Sequence, residues 1–303
     1  EVIRIGVESG VKVHFSHMKV CGKNNWDKLP TIFDMLDDAA RQGVKVSFDQ
    51  YPYVAGSTML GAMLPPWAHD GGTEQLLKRL KDPEQRKAMI ADIQSDSGLW
   101  DNFVSFAGLD GIYITSTKTK KNRALIGKNL VQVGQITGKD PFEAALDLLL
   151  EEENAVGMVD FYGTEDHVIE FLRRPEQNVC TDGLLGGKPH PRVYGAFPRV
   201  ISEYVKKRPV LTLEQAIHKM TGKPAQVFDL KDRGILKPGN YADILMFDPD
   251  TICDKGTYEQ PDQFPEGISM VMVNGCVVLE DNVQNPDLPG KVLRKESFAG
   301  TPV

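Results

Sequence analysis

Long apolar runs are missing from this sequence: none approaches the roughly 20 residues that a membrane-spanning helix needs, and nothing at the start reads as a signal peptide. A membrane role is therefore not expected. Cysteine is nearly as scarce. The four present, Cys21, Cys180, Cys253 and Cys276, lie far apart with no C-x-x-C pair, which argues against a disulfide framework and a thiolate zinc knuckle. Reduced thiols in a cytoplasmic protein are the expectation. Positive charge is in deficit, with 35 Lys and Arg against 42 Asp and Glu, a formal charge of -7. The basic residues are scattered, so no clustered field for nucleic acid or an anionic membrane is expected. Internal repeats and low-complexity tracts are also lacking. What remains is an ordinary globular composition, 41% hydrophobic over 303 residues, enough core for one large domain or two ordinary ones.

Organisation follows from periodicity. Val2 to Gly10 reads as the tail of a helix with a glycine stop, and the alternating V-K-V-H-F-S-H, Val11 to His17, reads as a strand. Leu29, Ile32, Phe33, Leu36 and Ala40 recur at helical spacing within Trp26 to Gly43, and the run from Val44 to Tyr53 is a second strand broken by Pro52. A β-α-β order implies a parallel sheet with a right-handed crossover. From Ala55 to Lys139 the periodicity loosens around a charged helix near Glu74 to Ser95 and a short strand near Gly111 to Thr115. An insertion of that length reads as a lid over a site. A helix capped at Asp140-Pro141 follows, with a strand at Ala155 to Phe161, a helix at Thr164 to Arg173 and a strand at Asn178 to Thr181. Helices are expected at Arg199 to Lys207 and Thr212 to Met220, the latter with L-T-L-E as a capping box. Beyond a boundary near 222 to 232, short strands separated by P-G and N-G turns indicate a smaller antiparallel β module.

Three strand ends carry polar groups: S-H-M-K at Ser16 to Lys19, D-Q-Y-P-Y at Asp49 to Tyr53, and T-D-G at Thr181 to Gly183. In a β/α barrel the working residues stand at the carboxyl ends of strands, so three such ends pointing one way form a candidate site. Singly each residue has a plainer reading. His17 alone is equally a hydrogen-bonded structural histidine, Asp182 a turn or cap residue, Tyr51 a core aromatic, and Lys19 and Arg192 solvated cations. Arg192 is distinguished by the two prolines of P-H-P-R, which stiffen the approach to a guanidinium able to grip a carboxylate through two bonds.

Taken together, these segments resemble the N-acyl-D-amino-acid deacylases, or D-aminoacylases, of the metal-dependent amidohydrolase superfamily. The matching pieces run in family order across nearly the whole chain. S-H-M-K-V-C-G-K-N-N, D-Q-Y-P-Y-V-A-G-S-T-M-L, T-D-G and K-P-H-P-R-V-Y-G-A-F-P-R-V come first; K-M-T-G-K-P-A, D-R-G-I-L-K-P-G-N-Y-A-D-I-L-M-F-D-P and G-I-S-M-V-M-V-N-G follow. A-D-I-L-M-F-D-P and V-N-G occur widely among amidohydrolases, whereas the S-H-x-K, D-x-Y-P-Y-x-A-G-S-T and H-P-R-x-Y-G-x-F-P-R-V pieces are specific to the deacylase branch. The resemblance implies an α/β fold. Residues 1–225 would form the C-terminal part, about strands 6 to 8, of a (β/α)8 TIM-like barrel with a lid insertion at 55–139, and 226–303 the C-terminal part of a small β-sandwich. It implies His17 as a zinc ligand, Lys19, Tyr51 and Arg192 as the clamp for a substrate α-carboxylate, and Asp182 as catalytic acid/base. Met18 stands where the family has a second histidine.

The implied reaction is hydrolysis of the amide of an N-acyl-D-amino acid, with one or two Zn2+ in the complete enzyme. An amide is a poor electrophile at neutral pH, and a metal polarises its carbonyl while lowering the pKa of bound water. The alternatives are a hydantoinase-like or dihydroorotase-like cyclic-amide hydrolase, and a non-catalytic carboxylate-binding fragment. Met59, Leu60, Met63, Leu64 and Trp67 favour an apolar side-chain or acyl pocket, or else are plain core. The family's H-x-H, ligating cysteine and T-H-x-R are not in this sequence, which begins at Glu1 inside an expected helix. The chain is accordingly expected to bind metal poorly alone and to need a missing N-terminal half or a pairing subunit.

Overall fold

The strand-forming runs at both ends of the first crossover do pair in parallel, and this sheet carries one wall of the molecule. The computed structural model describes residues 1–294, so the last residues of the expected 226–303 module lie outside the described residues. Helix α1 (Val2–Ser9) ends at Gly10 and is followed by β1 (Val13–Phe15), α2 (Leu29–Arg41) and β2 (Val46–Gln50). Pro30 in the first turn sets the start of α2, and Trp26 to Lys28, expected to share that helix, belong instead to a 3₁₀ turn over Lys23–Lys28. The middle of the chain forms β3 (Gly56–Met59), α3 (Gly72–Lys81), α4 (Pro83–Ser95), α5 (Phe103–Ala107), β4 (Ile112–Thr117), α6 (Leu130–Thr137), α7 (Pro141–Glu151) and β5 (Val156–Asp160). Next come α8 (Glu165–Arg173), β6 (Gln177–Val179), α9 (Arg192–Ile201), α10 (Leu213–Met220) and α11 (Gly222–Val227). The chain then forms β7 (Ile244–Phe247), β8 (Ile268–Val273), β9 (Cys276–Glu280) and β10 (Val283–Gln284).

Local chemistry explains where these elements depart from the periodicity. The single charged helix expected at 74–95 is two, because Pro83 cannot continue α3, and Asp82 accepts from the backbone N–H groups of Glu84 and Gln85 to start α4. The helix expected from Arg199 begins at Arg192, runs through Pro198 and ends in a π-helical turn over Ser202–Lys207. The capping box of α10 pairs Thr212 with Gln215, one residue past the glutamate of L-T-L-E. Asp140 caps α7 as its sequence suggests.

The strands form three sheets. In the first, β2 lies between β1 and β6, all parallel, with Val13 opposite Val46 and Phe48 opposite Gln177. In the second, β5 lies between β3 and β4, all antiparallel. The segment expected as a lid over 55–139 is thus tied to the residues after it: β5 completes its sheet, and α7 packs on α6. This unit has a core of its own, in which Leu60, Met63, Leu76, Leu80, Met89 and Ile112 are fully buried. Phe48, Phe171, Leu36 and Val20 pack together beside the parallel sheet. The third sheet, β7 to β10, is an antiparallel meander, closed between β8 and β9 by the Asn274-Gly275 turn. Among the described residues no helix is long and apolar enough to cross a membrane, and all four cysteines are free.

Candidate functional site

Because β1, β2 and β6 are parallel, the residues that leave their carboxyl ends emerge on one side. There they line a cavity of about 830 Å3 at the seam with the antiparallel unit. His17, Lys19, Tyr51, Asp182 and Arg192, the five residues named from the sequence, all line it. His17 and Asp182 each follow a strand with φ of 43° and 47°. Both are non-glycine residues in the left-handed region, a strained backbone that surrounding contacts must hold. At His17 the contact is visible: its backbone N–H donates to Asp49 Oδ1 at 2.6 Å, while His14 Nε2 bonds the other oxygen at 2.9 Å. Burial pushes the Asp49 carboxyl up, but the bonds from His14, the His17 backbone and Cys180 outweigh it and hold Asp49 below the ordinary carboxylate range.

The cationic wall is buried. Arg192 is 1% exposed, with Nη2 3.0 Å from Asp182 Oδ2 and 3.2 Å from the Ser57 carbonyl. Its Nε and Nη1 are buried without a hydrogen-bond partner. The guanidinium stacks 4.4 Å from the centre of the Tyr51 ring, and Lys19 Nζ lies 5.1 Å from the same ring. Lys19 Nζ also donates to His17 Nδ1 at 3.0 Å. Burial pulls the lysine below its ordinary range, against the opposing pull of Cys21 and Asp182. The Tyr51 hydroxyl shares a 2.9 Å hydrogen bond with that of Tyr162, and burial raises both phenols above their usual values.

His190 supports this wall from behind. It accepts from the Arg192 backbone N–H at Nδ1, 3.0 Å, so its proton is on Nε2, which donates to the Ala55 carbonyl at 3.0 Å. A neutral imidazole is the form these two bonds require. Burial, then the nearby Arg192, lower its pKa to about 3.

Among the cavity residues outside the sequence reading are Asp160 and Tyr162. The strand that ends at Asp160, two residues before Tyr162, was expected, but only its pairing with β3 brings its end to the cavity, with Gly56 opposite Asp160. A Cβ on Gly56 would lie 2.9 Å from the Tyr162 ring and 3.0 Å from Asp160 Oδ1, so this glycine lets the two side chains stand against β3. The apolar residues favoured for a side-chain pocket do not line the cavity. Leu60, Met63 and Leu64 are buried in the core of the antiparallel unit, with Trp67 packed on it, and Met59 is exposed.

The donor set does not complete a metal site. Among the described residues no three His, Cys, Asp or Glu side chains gather as ligands. His17 and Asp182 face the cavity from this chain, and catalytic zinc ordinarily takes three protein ligands.

An amidohydrolase family model matches residues 181–279, from the Asp182 loop through β9. The N-acyl-D-glutamate deacylase of Alcaligenes xylosoxydans xylosoxydans is 32% identical over 100% of this chain and 52% of its own length. The D-aminoacylase of the same organism is 32% identical over 97% of this chain and 51% of its own. The crystal structure of N-acyl-D-glutamate deacylase from Bordetella bronchiseptica, complexed with zinc and a phosphonate mimic of the tetrahedral intermediate, superposes with a TM-score of 0.76. That match has 32% identity and covers 97% of this chain and 52% of the other. The fold is that of the amidohydrolases, α/β in class. Within them the chain is similar to N-acyl-D-glutamate deacylase and D-aminoacylase. It spans about half the length of the curated relatives it matches.

Proposed function

We propose that this chain supplies the carboxylate-binding and proton-transfer wall of a zinc-dependent deacylase of N-acyl-D-amino acids, with the parallel sheet as about strands 6 to 8 of a TIM-like barrel. The observation that carries the reading is the Arg192 guanidinium, buried in the cavity wall with two N–H donors unmatched. Unmatched donors on a rigid, permanently charged group suit a carboxylate. Lys19 and the Tyr51 hydroxyl, close to the same ring stack, add a charge and a phenol to that clamp. Asp182 is bound to Arg192 through Oδ2, which leaves Oδ1 to act as base.

The proton path follows. Asp182 Oδ1 takes a proton from water as its oxygen bonds to the acyl carbon, then gives that proton to the amide nitrogen as the C–N bond breaks. Zinc would polarise the acyl carbonyl for this attack. Of the sequence-named residues this chain offers His17 and Asp182 toward it, so the remaining ligands are proposed to come from outside the chain, in a missing N-terminal part or a pairing subunit. With the α-carboxylate clamped and Asp182 at the leaving nitrogen, two substituents of the stereocentre are fixed. The side-chain wall selects the third and hence the enantiomer.

The test is Arg192→Ala in the full-length protein. Loss of two charge-assisted bonds should lower kcat/KM for N-acetyl-D-amino acids about 100-fold. A cyclic-imide hydrolase has no use for the clamp, so unchanged turnover of acyl amino acids, or preserved cyclic-imide cleavage as the main activity, would reject the proposal.

A further inference from the structure

We infer that the cavity selects N-acyl-D-amino acids with a cationic side chain, which the Asp160 carboxylate binds, with Asp101 lining the same cavity. This rests on the carboxylate clamp proposed above and names what lies beyond it. Asp160 is 2% exposed, ends β5 and lines the cavity. Among the described residues it has no ion pair and no hydrogen bond to another residue's side chain. A buried carboxylate whose hydrogen bond comes from its own backbone N–H is costly to keep charged, and a ligand that brings a donor relieves that cost. Consistent with this, burial pushes the Asp160 carboxyl up to about 6, though Lys19 and Arg192 pull it the other way.

A second observation points to the same class of ligand. Burial first, and then the charges of Asp160 and Asp101, push the Cys21 thiol up to about 12 against Lys19. Both carboxylates therefore act on one part of the cavity wall. Phe103 and Phe106, on the helix that follows Asp101, line the cavity as well and offer apolar surface to a methylene stem. The cations present are otherwise engaged. Lys19 and Arg192 belong to the clamp, and Lys28 stands exposed at the mouth, donating to Asn25 Oδ1. An acidic side chain would face two carboxylates, and an apolar one would leave Asp160 unpaired.

Equilibrium titration of the full-length protein near neutral pH with D-lysine, D-norleucine and D-glutamate separates the possibilities. D-lysine should bind about tenfold more tightly than D-norleucine, which has a similar length without the charge, and D-glutamate more weakly than either. Asp160→Asn should remove that tenfold preference. Equal affinity for D-lysine and D-norleucine in the wild type overturns the inference without any variant. So does a uniform loss across all three ligands in Asp160→Asn, which would place Asp160 on the α-ammonium rather than on the side chain. If none of the three binds, the clamp itself is wrong and this inference falls with it.

Discussion

His190 shows how a side chain without contact to substrate can govern the site. Its two ring nitrogens are committed to the Arg192 backbone and the Ala55 carbonyl, and its ring stands edge-on to Tyr53 at 5.0 Å. The folded pKa of about 3 lies below the ordinary 6.5. Above 6.5 both folded and unfolded forms are neutral, and His190 contributes no pH dependence. As pH falls from 6.5 toward 3 the unfolded chain takes up a proton that the folded chain refuses, so stability is lost, by up to about 1.4 kcal/mol per pH unit for one group. Denaturant unfolding between neutral pH and about pH 4 should therefore give a shallower dependence for His190→Gln than for the wild type. Parallel curves would mean that the imidazole is not held neutral. Tyr51→Phe tests the next layer of the wall. It leaves the Tyr162 hydroxyl, 2.9 Å away and buried, without its partner, which costs about 1–3 kcal/mol of stability and loosens the clamp. An unchanged unfolding midpoint together with unchanged D-amino-acid affinity would remove Tyr51 from the site.

At the scale of the element, α9 determines where Arg192 stands. Its inner face carries Arg192, Gly195, Ala196 and Pro198, and Ala196 packs with Tyr51 and Tyr53. A Cβ at Gly195 would lie 2.6 Å from the Tyr53 hydroxyl and 3.0 Å from the Asp254 Cβ. Alanine is worth up to about 1 kcal/mol over glycine within a helix, but overpacking costs about 1–3 kcal/mol. Gly195→Ala should thus lower the Tm and weaken D-amino-acid binding together. A raised Tm would show that the helix has room to spare.

The same element marks the limit of what periodicity reveals. P-H-P-R reads as a stiffened approach to Arg192 and the helix is expected only from Arg199, so a helix beginning at Arg192 is hidden. The N-terminal proline in fact stands at its cap, and Pro198 is accommodated within it. By contrast β1, β2 and β6 are legible because β-branched runs end in polar residues, and from them the convergence of His17, Tyr51 and Asp182 follows. Asp160 was not legible. Its place depends on an antiparallel pairing about a hundred residues apart, which no local pattern encodes.

For the molecule as a whole, the proposed function draws carboxylate binding and metal binding from different sources. Arg192, Lys19, Tyr51 and Tyr162 stand on one wall, with Asp160 facing the same cavity, all within this chain. Of possible metal ligands, the chain brings only His17 and Asp182 from the sequence-named site to that cavity, and among the described residues no strand pairs with the outer side of β1 or β6. Dialysed against metal-free buffer, the 303-residue chain should therefore retain well under one zinc per molecule, since two ligands hold it far less tightly than three or four. Its affinity for a D-amino acid should be the same with and without a chelator, because no ligand to the carboxylate is a metal. In a complete enzyme the same chelator should abolish turnover yet leave product binding intact. Stoichiometric zinc surviving dialysis of this chain, measured by atomic emission, would show that its own side chains close the site. Carboxylate binding lost on chelation would show that the metal, and not the guanidinium, is the anchor.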